Sequence, residues 1–429
     1  MRPVEEQLPL LMRGVVYGDE GVARAMEGEL RERLAEGRPL RVYLGIDPTA
    51  PDLTLGHTVP MRKLRQFQDL GHETILLIGG FTALVGDPSD KETTRPMLTL
   101  EQIEENARTY AEQAFRVLDR DRTVIRNNAE WLGKLTFQEL IRIASNFTVG
   151  QFLQRDNFAL RRERGEPIYV HEFFYSFMQA YDAFALETDV QVGATDQLFN
   201  IMAGRTLQRA YGQRPQIAII TSVLVGTDGQ KRMSKSEGNH IALNDPPAGN
   251  DGIYGKVMSL PDDVMIEYFT LVSDVSGDEI EEMGRQLAAR SVNPMEIKKR
   301  LAREIVGELH GIEAAQEAER EFDVRHRQHR RDQVVTVPVA TAGAVAVPPT
   351  LSSTKTVPIE QVERLGLLKT LLVAGIIPSK SEGRRLLQQG AIDVDGQPIT
   401  SFEVELRVGS VIRVGKHQFL RIVDADKQE

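Results

Sequence analysis

The sequence has no cysteine, which excludes disulfides, thiolate metal sites and a cysteine nucleophile. It has no surplus of positive charge. A formal net charge of −10 argues against indiscriminate nucleic-acid binding, which rests on neutralising phosphates, but leaves room for local basic patches on an acidic body. There is no internal repeat and no apolar run fit to span a membrane. The longest uncharged stretch, residues 334–351, carries Pro338, Pro348 and Pro349 among small and β-branched residues, a linker composition. The N-terminal MRPVEEQLPLLMRG sets acidic residues inside any would-be apolar region and offers no small-residue cleavage site. No signal peptide is expected, and a cytoplasmic location is the default.

What is present is ordinary globular composition, 41% hydrophobic and 27% charged. At 429 residues the length suggests about two to four domains. Residues 21–37 read as an amphipathic helix. Residues 42–46 (VYLGI) then read as a buried strand, followed by a loop rich in Pro, Asp and Thr and a helix opening at Gly56-His57. A helix N-terminus at the carboxyl end of a parallel strand presents unpaired N–H groups to a polyphosphate. Residues 73–79 form a second buried strand, completing a β-α-β crossover. The next loop, to residue 95, holds Asp87, Lys91 and Arg95, either as solvated surface charges or as site residues.

Residues 100–118 read as a helix with Thr99 and Gln102 at capping-box spacing. Residues 122–126 are a third strand, followed by Asn127-Asn128, and residues 137–143 and 152–164 read as helices. Arg161, Arg162 and Arg164 form either a solvated face or an RNA contact. In the helix HEFFYSFMQAYDAF, residues 171–184, Tyr175, Gln179 and Asp182 fall on one face of an otherwise apolar helix. Such a stripe must meet partners or line a pocket, because an unpaired buried carboxylate is costly. Strands at 189–192 and 216–221 follow, separated by Asp196-Gln197 and a helix to about Tyr211.

The stretch VGTDGQKRMSKSEGN is a turn and a cationic, Gly-flanked loop with Lys231, Arg232 and Lys235, suited to clamping a leaving pyrophosphate. Residues 251–332 have a helical pattern and hold Lys298, Lys299, Arg300 and Arg303 close together. His326 and His329 have ligand-like spacing, but the arginines around them would repel a cation. Residues 365–374 and 379–389 read as helices, and 391–394, 411–414 and 418–423 as strands, of a small α+β module.

Taken together, several separated motifs resemble a class I aminoacyl-tRNA synthetase of the bacterial tyrosyl type over essentially the whole chain. They are Tyr43 with G-x-D-P-T, Thr54-Leu55-Gly56-His57, G-D-P-S, Y-x-x-x-Q-x-x-D, Asp196-Gln197 and Arg232-Met233-Ser234-Lys235-Ser236. The tail resembles an S4-like RNA-binding module. The resemblance implies an α/β fold: a Rossmann-like parallel-sheet catalytic domain over residues 1–240, an α-helical anticodon-arm domain over 241–332, a linker over 333–355 and an S4-like α+β domain over 356–429.

It further implies that Tyr43 and Asp182 bind the phenol hydroxyl of tyrosine. Asp87, Tyr175 and Gln179 would hold its α-ammonium, with Gln197 near its carboxylate. Asp47, Thr49, Gly56 and His57 would contact ATP, and Asp196 its ribose. Lys91 and Arg95 match mobile-loop cations, and Lys235 the main pyrophosphate clamp. ATP would be a substrate accompanied by Mg2+ through its phosphates, with no protein-bound metal and no organic cofactor. Tyrosine, ATP and tRNA(Tyr) would be the partners of a homodimer with residues 127–164 near the contact, without DNA or membrane.

The sequence departs from the family pattern in three places. Thr54 replaces the first His of H-x-G-H, Arg232 the first Lys of K-M-S-K-S, and Leu198-Phe199 the frequent Trp-Gly. The chemistry agrees with the residues. A carboxylate attacking the α-phosphate of ATP is already a nucleophile, so alignment and charge stabilisation suffice. Three rival readings are a tryptophanyl-type enzyme, which leaves Tyr43 without a role, a structured-RNA-binding protein that has lost catalysis, and an adenylyltransferase acting without RNA.

Overall fold

The computed structural model of the chain describes residues 1–88, 99–332, 334–339, 367–372, 376–377, 380–394, 396–404, 411–414 and 418–424. Contacts divide it into two compact units, Met1–Glu319 and Arg320–Glu429.

The first unit is built on five parallel strands, β1 (Arg41–Ile46), β2 (Glu73–Ile78), β3 (Thr123–Asn127), β4 (Val190–Ala194) and β5 (Ile217–Thr221), in the order β3-β2-β1-β4-β5. β2, β4 and β5 are near-continuous apolar runs with almost every residue buried, as expected for a parallel sheet covered on both faces. The chain leaves β1 toward β2 on one side and returns through β4 to β5 on the other. The strand order therefore reverses between β1 and β4, and the crevice outside their carboxyl ends is where such sheets bind ligands.

Helix Leu55–Asp69 connects β1 to β2, with Thr54 in extended backbone as its N-cap. Helix Val170–Ala185 packs against helix Leu198–Ala210, and a Cβ at Gly204 would lie 3.2 Å from Ala183 Cβ and 2.7 Å from Gln216 Nε2. That glycine lets the two helices close up. One consequence is a buried cluster of Phe152, Phe158 and Phe177, with Phe173 and Phe199 packed against it.

The expected helix over 152–164 divides into Val149–Leu153 and Asp156–Glu163, with Arg155 between them in extended backbone at φ −62° and ψ 137°. Arg161 is buried and pairs with the buried Glu172 at 2.6 Å, so it belongs neither to a solvated face nor to an RNA contact. The basic group at 298–303 is likewise partnered. Lys298 is buried and bonds Asp262 at 2.6 Å, while Arg300 meets Glu279 and Arg303 meets Glu319, both at 2.6 Å.

The second unit carries the sheet β6 (Val334–Val339), β10 (Gln418–Asp424), β9 (Val411–Val414), β7 (Ile392–Val394) and β8 (Gln397–Pro398), in that order. Helix Lys380–Gln388 accompanies an apolar core that includes Leu371, Ile377, Ile392 and Ile412. Part of the stretch whose composition reads as a linker is therefore a strand, since β6 pairs parallel with β10. Its valine-rich sequence suits a pleated surface, and its place at the sheet edge tolerates Pro338. Residues 340–351 lie outside the described residues.

Candidate functional site

A cavity of about 230 Å³ opens at the carboxyl ends of β1 and β4. Each wall follows from the topology. β1 delivers Tyr43 and, just past its end, Asp47 and Thr49. The N-terminus of helix Leu55–Asp69 adds Thr54, Gly56 and His57. One face of helix Val170–Ala185 supplies Tyr175, Gln179 and Asp182. The 3-10 turn after β4 supplies Asp196 and Gln197, while Asp87 and Arg232 close the rim.

The deep end is a buried phenol facing a buried carboxylate. Tyr43 is fully buried, and its hydroxyl has no hydrogen-bond partner. Burial, then the charge of Asp182, raises its pKa well above the ordinary phenol value, against a smaller lowering by the nearby Gln216 side chain, which falls short of a well-formed hydrogen bond to it. Asp182 accepts Trp131 Nε1–H at 2.7 Å and Asn128 Nδ2–H at 3.2 Å. Burial outweighs these donors and pushes its pKa up to about 7.

A chain of hydrogen bonds runs from there along the cavity wall. Asn128 Nδ2 also donates to Thr82 Oγ1 at 3.0 Å, and Thr82 donates to Asp47 Oδ1 at 2.7 Å. Tyr175 donates its hydroxyl to the other oxygen of Asp47 at 3.0 Å. The wall is close-packed here, because a Cβ at Gly79 would lie 1.9 Å from Asp47 Oδ1. Beside this chain, Gln179 Oε1 is buried without a partner, and Gln197 Nε2 donates to Asp87 Oδ2. Two buried polar atoms lacking partners at separated points of one cavity describe a ligand with a polar group at each end.

At the outer end the Thr54 departure has a visible consequence. The Thr54 N–H donates to His57 Nδ1 at 3.1 Å, and Thr54 Oγ1 lies 2.8 Å from the same nitrogen. With Nδ1 accepting from the backbone, the neutral imidazole carries its proton on Nε2. Arg232 Nη1 donates to Asp196 Oδ2. Lys235 is not part of the cavity wall, and its Nζ donates to the Asp52 carbonyl at 2.6 Å. The loop is stitched by Asn239, whose Oδ1 accepts the Ser234 N–H at 2.8 Å. Lys91 and Arg95 lie outside the described residues. No group of three or more His, Asp or Glu among the described residues is placed to hold a metal ion.

Sequence reasoning missed Asn128, Thr82 and Trp131. Asn128 follows the end of β3, where polar residues point into the crevice, and its position alone could have signalled a site role. Thr82 and Trp131 carry no comparable pattern.

Comparison with known proteins identifies the family. Residues 35–327 match the family described as tRNA synthetases class I (W and Y), and residues 365–412 match the S4 domain. The chain is 46% identical over 423 residues to the tyrosine–tRNA ligase of Moorella thermoacetica, covering 98% of this chain and 96% of the relative. It is 44% identical over 421 residues to that of Thermotoga maritima, covering 97% of each. A solved tyrosyl-tRNA synthetase complexed with L-tyrosine from Archaeoglobus fulgidus shares the fold with a TM-score of 0.59 at 23% identity, covering 74% of this chain and 99% of that one. On its sequence and its fold alike, the chain belongs to the class I tRNA synthetases of the tryptophan and tyrosine type, and within them to the tyrosine–tRNA ligases.

Proposed function

We propose that the crevice binds L-tyrosine with its phenol between Tyr43 and Asp182 and its ammonium at Asp87, Tyr175 and Gln179. The observation that carries this reading is the pair of partnerless buried atoms, Tyr43 Oη and Gln179 Oε1. A substrate phenol accepts from Tyr43 and donates to Asp182, while an α-ammonium donates to Gln179. Phenylalanine would leave the Tyr43 and Asp182 pair unsatisfied, and tyrosyl-tRNA synthetases are themselves the standard case of that discrimination. An indole has a donor for Asp182 and nothing for Tyr43, which disfavours tryptophan.

The protein is a tyrosine–tRNA ligase, an enzyme that uses ATP. In the first step the tyrosine carboxylate oxygen bonds to the α-phosphorus of ATP and the bond to the β-phosphate oxygen breaks, giving tyrosyl-adenylate and pyrophosphate. In the second step the terminal ribose hydroxyl of tRNA(Tyr) attacks the tyrosyl carbonyl and AMP leaves. Gln197 lies at the substrate carboxylate, Asp196 at the ribose, and Asp47, Thr49, Gly56 and His57 line the path of the phosphates. Lys235, Arg232, Lys91 and Arg95 stabilise charge developing on pyrophosphate, which is the main catalytic task where the nucleophile is already ionised. Thr54 acts through His57. Mg2+ enters with ATP, held mainly by its phosphates.

The proposed division of labour places chemistry in residues 1–240, anticodon-arm contact in 241–332 and RNA binding by the S4-like region in 356–429. The enzyme acts as a homodimer in the cytoplasm, where tRNA is charged. No helix among the described residues is long and apolar enough to cross a membrane.

The test is exchange of labelled pyrophosphate into ATP, run separately with Tyr, Phe and Trp. Exchange with Tyr alone is expected, and equal exchange with Trp would overturn the Tyr43 and Asp182 assignment. Truncation after Asp332 should preserve exchange and abolish tRNA charging; unchanged charging would remove the role given to the C-terminal region.

A further inference from the structure

A second line of buried polar groups reaches the cavity from behind and ends on Gln197. It starts at Arg155, which is 6% exposed, with its guanidinium carbon 4.8 Å from the ring centre of Phe199 and 5.3 Å from that of Phe158. Arg155 Nη1 donates to Ser176 Oγ at 3.0 Å. Ser176 Oγ donates to Asn200 Oδ1 at 2.6 Å, Asn200 Nδ2 donates to Gln197 Oε1 at 3.2 Å, and Gln197 Nε2 donates to Asp87 Oδ2. Ser176 and Asn200 are fully buried, so the line is closed to solvent along its middle.

The direction of this line is dictated by its first member. A guanidinium has only donors. Ser176 must therefore accept from it, which sends the Ser176 hydroxyl proton to Asn200 Oδ1. Asn200 is then fixed with its NH2 toward Gln197, and Gln197 with its Oε1 turned back and its NH2 turned toward the cavity. Either amide by itself could be flipped at little cost, with oxygen and nitrogen exchanged. Held in this order, Gln197 can present only donors to a substrate carboxylate.

Asp87 enforces the same direction from the far end while it accepts from Gln197. Once the substrate ammonium occupies Asp87, the Arg155 end is the one that remains. Four carboxylates, Asp47, Asp87, Asp182 and Asp196, line this cavity, so a fixed donor and a buried positive charge behind it are what an anionic substrate group requires.

We infer that Arg155 is a positioning residue for the tyrosine carboxylate, acting through Ser176 and Asn200 to lock the amide of Gln197 with its N–H groups toward the substrate. The inference rests on Gln197 as the group that meets that carboxylate. The extended backbone at Arg155 between two short helices and the Phe199 ring are what bring the guanidinium to Ser176.

The experiment compares L-tyrosine with L-tyrosinol, which keeps the phenol and ammonium and lacks the carboxylate, in the full-length enzyme. The KM for tyrosine and for ATP comes from pyrophosphate exchange, and the inhibition constant for tyrosinol from competition in the same assay. Arg155→Gln can accept as well as donate, and Ser176→Ala cuts the line with minimal change of volume. Both are expected to raise the tyrosine KM about tenfold, with tyrosinol inhibition and the ATP KM within about twofold. Arg155→Lys, again a donor only, is expected to restore most of the tyrosine affinity.

Equal weakening of tyrosine and tyrosinol in Arg155→Gln and Ser176→Ala would make the line merely structural and overturn the inference. An unchanged tyrosine KM in both would overturn it too. Gln197→Ala separates this from the reading beneath it. If Gln197→Ala shifts the tyrosine-to-tyrosinol ratio and the other two variants do not, the relay alone falls. If Gln197→Ala leaves the ratio unchanged, the placement of the substrate carboxylate falls with it.

Discussion

Trp131, the single tryptophan of the chain, donates its indole N–H to Asp182 Oδ1 at 2.7 Å. With Asn128 on the other oxygen, it fixes the plane of the carboxylate proposed to meet the substrate phenol. Trp131→Phe removes that donor and keeps an aromatic ring. Hydrogen bonds to charged groups contribute about 1.5–3 kcal/mol, so the tyrosine KM should rise roughly tenfold or more and the preference for Tyr over Phe should fall. Pyrophosphate exchange with both amino acids checks this, and an unchanged preference would refute it.

The pH profile should carry the same carboxylate. Burial pushes the pKa of Asp182 up to about 7, and in the proposed binding mode its ionised form accepts the phenol proton. The kcat/KM for tyrosine should therefore fall with a one-proton slope as pH drops below about 7. Because the Trp131 bond lowers this pKa, Trp131→Phe should move the limb to higher pH. Asp182→Asn should abolish the limb along with most activity.

Stability should run the opposite way. The folded pKa of Asp182 lies above its ordinary value of 3.8. Its contribution to stability is therefore fully present below the unfolded pKa and is lost as pH rises through the folded one. The penalty at pH 8 is at most on the order of 4 kcal/mol. An asparagine carries no such penalty, although its NH2 would face a donor. Urea unfolding of wild type and Asp182→Asn should show the difference moving in favour of the variant between pH 4 and pH 8. A pH-independent difference would contradict the assigned titration.

The two loop cations should act on rate, with little effect on tyrosine affinity. Lys235 is held by the Asp52 carbonyl and Arg232 by Asp196. Lys235→Ala should lower kcat for exchange about a hundredfold while leaving the tyrosine KM within about twofold. A rise in tyrosine KM with kcat preserved would place Lys235 in the wrong role.

These groups differ in how far the sequence revealed them. Tyr175, Gln179 and Asp182 were legible because a helix repeats every 3.6 residues and puts them on one face. Asp47, Asp196 and Gln197 were legible because each follows the end of a strand. Trp131 and Thr82 were not, since their partners come from separate loops and no period links them. Buried cations are hidden in the sequence for a related reason. Arg161 sits in a basic cluster that reads as a solvated face or an RNA contact, and Lys298 beside three other cations; only the fold shows Glu172 and Asp262 opposite them. Residues 334–339 were read by composition as linker, yet an edge strand takes valines and tolerates a proline equally well.

Quaternary structure supplies the last prediction. Phe137 is 77% exposed and Ile141 56% exposed, one turn apart on helix Phe137–Ala144. On β3, at the edge of the sheet, Val124 and Ile125 are 44% and 39% exposed. A single exposed apolar residue needs no explanation, but Phe137 and Ile141 share one helix face and are candidates for covering by a partner. In a two-fold dimer each such residue is buried twice, and each burial contributes roughly 1.5–3 kcal/mol. Phe137→Glu with Ile141→Glu would put four carboxylates into that contact. Sedimentation at micromolar concentration should show a dimer for the wild type and a monomer for the double variant, with pyrophosphate exchange measured on both. A wild type that sediments as a monomer would leave the exposed face unexplained and remove the homodimer from the proposal; a double variant that remains dimeric would place the contact elsewhere on the surface.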